Sequence, residues 1–105
     1  MDSEHAIEAI ELVVNERQRQ QSFEGYMTRD DDQHVHGELG QAAAVYACPP
    51  DLRLMISDRP QGWPHDWATP RLPKASRLQE LAIAGALILA EIERVLRSSE
   101  TDPLH

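Results

Sequence analysis

Residues 76–97 read SRLQELAIAGALILAEIERVLR, and this stretch decides the fold. Leu78, Leu81, Gly85, Ile88, Ile92 and Val95 recur at alternating steps of three and four, the spacing of one helix face. Ile83, Leu87 and Leu89 carry the apolar surface around the other sides, so the helix is expected to be covered on most of them. Ser76 followed by Gln79 forms a capping box at its start. Glu93 precedes Arg97 by four residues, the favourable order for an ion pair along a helix. The spacing predicts a helix over 78–96 and a fraying tail over 98–105.

Working outward, residues 3–21 read as a first helix. Ala6, Ile7, Ile10, Val13, Val14 and Arg17 fall on one stripe, and Asp2 or Ser3 can cap its start. The polar run 16–21 is expected to project past the core. Residues 22–36 have no period and read as a loop, pinned by Phe23, Tyr26 and Met27. A second, Ala-rich helix follows over 37–47 and stops at Pro49 and Pro50, which cannot donate backbone hydrogen bonds. Residues 51–56 fit either a helical turn or an extended surface segment, because Asp51 can cap while Leu52, Leu54 and Ile56 alternate. Residues 57–75 form a long connection with four prolines, and its Trp63 and Trp67 are expected to fold back over the helices.

A chain of 105 residues has room for one domain, residues 1–105. Aromatic residues are only 5%, so the core must be Leu, Ile, Val and Ala. The expected architecture is all-α: about three main helices and long ordered loops around a central apolar C-terminal helix. Leu81, Gly85, Ile88 and Ile92 are its predicted core, with Ile10, Val14 and Leu39 among their partners.

A net charge of −8 opposes direct binding to nucleic acid or anionic membranes. Cys48 stands alone, so no internal disulfide forms, which suits a reducing cytoplasm. It reads as a small buried residue. The first residues carry acids where a leader needs bases, and the longest apolar run has 10 residues against the roughly 18–20 of a bilayer span. A cytoplasmic location is therefore expected.

Residues 29–38, RDDDQHVHGE, hold the densest chemistry. Asp31, Asp32, His34 and Glu38 suit Mg²⁺ or Mn²⁺, although acids before a helix also serve as caps. Asp30, Asp31, Asp32, Glu91 and Glu93 offer an acidic surface to a basic partner, and Trp63 with Trp67 a candidate hot spot. Glu91 follows an apolar run and reads as a structural ion pair with Arg94 or an arginine of the first helix rather than as an acid–base catalyst. No nucleophile elbow or phosphate-binding loop is present, and no catalytic residues are assigned.

Several stretches together resemble a family of small helical proteins encoded by bacteriophages and prophages. The matching residues are Glu16, Arg17, Gln20, Glu24 and Gly25, then Asp31, Asp32, His34, Gly37, Glu38 and Leu39. Ala43, Ala44, Tyr46, Ala47, Trp63, Pro64 and Trp67 continue the pattern, and residues 84–94 close it. Tyr26 replaces the family's tryptophan, and two family lysines are missing at Ala68-Thr69 and at Ile83. The resemblance implies a phage-type accessory protein in a bacterial host and no defined activity. A looser likeness is to all-α nucleotide pyrophosphohydrolases of the MazG type, although only Glu8 with Glu11 supplies half of their carboxylate pattern.

Two functions follow as expectations. The first is a non-catalytic protein that binds a host protein with a basic, nucleic-acid-handling surface, for instance a defence inhibitor of the anti-CRISPR kind. It needs no cofactor and makes no contact with nucleic acid or membrane. The alternative is a nucleotide pyrophosphohydrolase using Mg²⁺ or Mn²⁺. A homodimer would use the Ala-rich second helix. Circular dichroism should report more than about 40% helix, above the ~30–35% of an average globular domain.

Overall fold

The computed structural model describes residues 3–23, 37–65, 67 and 76–101. Among the described residues three helices make the body: α1 (Ser3–Phe23), α2 (Glu38–Ala47) and α3 (Arg77–Thr101). A 3₁₀ turn (Pro50–Leu52) follows α2 and leads into a two-stranded antiparallel hairpin, β1 (Met55–Ile56) and β2 (Arg59–Pro60). The all-α expectation holds, with this small hairpin added to it.

The ends of the helices follow local chemistry. The Gln79 amide donates to the Ser76 hydroxyl at 3.1 Å, the N-cap bond of the capping box. Gly37 precedes α2 with φ 88°, a left-handed conformation that favours glycine. Cys48 leaves α2 in an extended conformation, as the following proline requires. At the other end of α3 the helix outruns the predicted boundary. Ser98 and Ser99 stay helical, and the Ser99 hydroxyl donates to the Val95 carbonyl at 3.0 Å.

α3 is central because it packs against both other helices. α2 runs antiparallel to it, since carbonyls at the C-terminal end of α2 meet Arg77 at the start of α3. α1 runs parallel to α3. Val13 lies against Gly85 and Arg17 reaches Glu93 at 3.0 Å, so position rises on both helices together. An antiparallel arrangement would separate Arg17 from Glu93 by about 18 Å at 1.5 Å per residue.

The core lies on a different face of α3 from the predicted one. Leu39, Ala42, Ala43, Tyr46, Ala84, Leu87 and Ala90 are buried together, with Trp63, Trp67 and Ile83 packed against them. Leu81, Ile88 and Ile92, predicted as core, are 44–48% exposed, and Ile10 and Val14 are exposed too. Only Leu39 and Gly85 of the predicted set lie in packed interior contacts. The reason is size. Facing alanines let two backbones approach closely, and α3 is apolar on so many sides that periodicity cannot select the face. The polar end of α1 also departs from expectation, because Arg17 and Gln20 are buried there.

Two glycines on helices therefore have opposite roles. A Cβ at Gly85 would lie 2.8 Å from Val13 Cγ2, whereas one at Gly40 meets nothing within 4 Å. Gly40→Ala should stabilise the protein by about 0.5–1 kcal/mol through helix propensity alone. Gly85→Ala gains the same propensity but overpacks against a stiff β-branched side chain, for a net loss of about 1 kcal/mol. That loss should vanish in a Val13→Ala background, as a double-mutant cycle by urea unfolding will report.

Candidate functional site

The most constrained chemistry is a cluster of charge at the junction of α2, α3 and the hairpin. Glu80, in the first turn of α3, is only 4% exposed. Its carboxylate pairs with Arg53 at 2.7 Å and with Arg77 at 3.3 Å. A buried charge needs such partners. Both arginines also serve a second purpose. Arg53 Nε donates to the Val45 carbonyl at 2.9 Å, and its terminal nitrogen donates to Tyr46 at 3.2 Å. Arg77 donates to the carbonyls of Tyr46, Ala47 and Cys48. Together they satisfy the free carbonyls at the C-terminal end of α2, where the helix dipole favours positive charge.

Arg53 thereby pins the segment that carries it. Its guanidinium points into the protein, and the large apolar residues on either side point out. Leu52, Leu54, Met55 and Ile56 are all more than half exposed. Ser57 turns the hairpin with φ 61°, a left-handed conformation at the head of its two-residue loop. Arg59 holds the other arm by donating to the carbonyls of His65 at 3.2 Å and Trp67 at 3.0 Å. Between α2 and the hairpin opens a groove of about 400 Å³, lined by Gln41, Val45, Cys48, Leu52, Arg53 and Pro60 among others. The result is a braced apolar knob beside a mostly apolar groove.

The residues singled out from sequence divide three ways. Asp30, Asp31, Asp32 and His34 lie outside the described residues. Of the candidate metal set Glu38 alone is described, in the first turn of α2. Among the described residues no three His, Cys, Asp or Glu side chains stand close enough to share an ion. Trp63 and Trp67 do fold back over the helices, half-buried and stacked edge to face with centroids 5.6 Å apart. Tyr46 meets Trp63 the same way at 5.9 Å. Glu91 pairs with Arg94 at 2.5 Å. Glu93 pairs with Arg17 at 3.0 Å and, in the expected i,i+4 register, with Arg97 at 3.9 Å. The arginine of α1 thus meets Glu93 rather than Glu91. Both glutamates are engaged inside the protein.

Sequence reasoning missed the Arg53–Glu80–Arg77 cluster. One signal was available: Glu80 shares a helix face with Ala84 and Leu87, so the apolar side of α3 contained an acid in need of a cation.

No family model, no curated protein and no solved structure matches this chain.

Glu80→Gln leaves Arg53 buried without its countercharge. Breaking a buried pair costs about 3–5 kcal/mol. The loss here should fall near about 3 kcal/mol, because Arg53 keeps two carbonyl acceptors. Urea unfolding monitored by circular dichroism measures it.

Proposed function

We propose that this is a non-catalytic accessory protein of phage type that acts by binding a host protein, one that handles nucleic acid or serves in host defence. The observation that carries the reading is the hairpin. Four large apolar side chains are held out to solvent by a segment whose central arginine is anchored at three points. Preorganised apolar side chains raise affinity because little conformational freedom remains to be lost on binding. Asp51 and Asp58 add acid at the rim of the knob, the common arrangement of an interface with an apolar centre.

Charge supports the same reading. The chain carries −8, and Glu8 and Glu11 on α1 are exposed to solvent. The described carboxylates at helix junctions are matched by arginines instead, as Glu80, Glu91 and Glu93 show. An acidic exterior with an apolar knob suits a basic partner, and the sequence resemblance to phage-encoded proteins points the same way. Glu91 and Glu93 contribute to such a surface less than the loop aspartates would, because their charge is already paired.

Capture from a bacterial lysate with the wild type and with Leu54→Asp/Ile56→Asp tests the proposal. The partner should be retained by the wild type. Its affinity for the double variant should fall by about 10–100-fold, the usual effect of removing two central anchors. Binding should also weaken as salt rises. Equal affinity of the two proteins overturns the hairpin as the contact. Nucleotide turnover that requires Mn²⁺ and is lost in Glu38→Gln overturns the non-catalytic reading itself.

A further inference from the structure

The hairpin accounts for one exposed apolar surface, and a second, larger one lies on the helices. Ile7, Ile10 and Val14 of α1 and Leu81, Ile88 and Ile92 of α3 are between 39% and 63% exposed. Val95 extends the row on α3, and the exposed Leu78 and Leu96 border it beside the α1 contact. The two rows belong to one face. From the line of contact between the helices, at 100° per residue, the exposed row lies about 80° one way around α3 and about 70° the other way around α1. Because α1 and α3 run in the same sense, opposite turns bring the rows to the same side. α2 packs elsewhere on α3, through Ala84, Leu87 and Ala90.

We infer that this α1/α3 face is the interface with a second copy of the same chain. Three features commit the face to that occupant. First, nine large apolar residues, each between 39% and 63% exposed, share or border this face, more contiguous apolar surface than a monomer ordinarily leaves open and of the extent that a standard interface buries. Second, Leu81, Ile88, Ile92 and Val95 step by seven, four and three along α3, the spacing with which helices pair at small crossing angles, while Gly85 between them is taken by Val13 of α1. Third, the face is two helices wide. A single partner helix would cover one seam and leave the rest wet, whereas an identical two-helix face completes a four-helix bundle about a two-fold axis.

This moves the expected dimer contact. Ala42 and Ala43 of the Ala-rich α2 are 0% and 2% exposed, because they pack against α3 within the chain. The apolar ladder first read as the core of the protein becomes the core of the pair.

The inference stands independently of the host partner, and salt separates the two. Two chains of −8 repel each other, so screening should tighten an apolar homodimer as NaCl rises, the opposite of acidic binding to a basic protein. Sedimentation equilibrium of the full chain should give twice 11.9 kDa at about 100 μM. Ile88→Glu/Ile92→Glu should return the mass to 11.9 kDa with helix content unchanged. Leu54→Asp/Ile56→Asp, which alters only the hairpin, should stay dimeric. A monomeric wild type, a dimer indifferent to the Ile88/Ile92 changes, or open-ended growth overturns the inference. Should the glutamate variant lose helix, a mixed sample of isotope-labelled and unlabelled wild type decides. Intermolecular NOEs between the methyl groups of Ile88, Ile92 and the α1 isoleucines support the pair, and their absence overturns it.

Discussion

Glu80 is the point from which the arrangement of this protein can be derived. A carboxylate placed on the packed side of the central helix must be matched by positive charge, or the helix cannot be buried there. Two arginines match it, both from earlier in the sequence. Arg77 comes from the preceding turn of the same helix, and Arg53 from the segment after α2. Each then has donors to spare, and the free carbonyls at the end of α2 accept them. One buried charge thereby fixes the end of α2 against the start of α3 and the path of the chain between them. Arg53 faces inward, and Leu52 and Leu54 face outward as a direct consequence.

The helix pair itself rests on small residues. α2 and α3 meet through alanines, which bury little area each but permit close backbone approach. Large residues were then left over. In a chain of this size the interior cannot hold every Leu and Ile of α3, so Leu81, Ile88 and Ile92 remain outside. The trade is visible at Gly85, where the absence of a side chain admits Val13 and seats α1 against α3.

Much of this architecture was legible in the sequence. The three helices, the capping box, the proline stop and the Glu93–Arg97 pair all follow from local chemistry, and local chemistry is what a sequence displays directly. The core face was not legible, for a physical reason. Periodicity reports which residues are apolar together, but not whether a neighbouring helix belongs to the same chain. Leu81, Ile88 and Ile92 form the better helix-pairing ladder, while Ala84, Leu87 and Ala90 form the closer-packing one, and only the fold assigns them. The hairpin was half legible. The alternation of Leu52, Leu54 and Ile56 signalled extended backbone, but the reason those side chains stay exposed is an ion pair 27 residues away in sequence. The charged loop beside Glu38 was legible as chemistry, and its members other than Glu38 fall outside the described residues.

The two apolar surfaces differ in shape and in the charge around them. The helical face is broad, regular and two-fold compatible, suited to an identical surface. The hairpin is narrow, protruding and rimmed with acid, suited to a groove of different chemistry. They also lie on different sides of α3, because Glu80 anchors the hairpin through the side that α2 covers, and the exposed row is turned about 100° from it. On the proposed pairing, each dimer would carry two copies of the same hairpin contact. A partner with repeated or symmetric sites would then be held by both hairpins at once, and overall affinity would exceed that of one hairpin without any new contact.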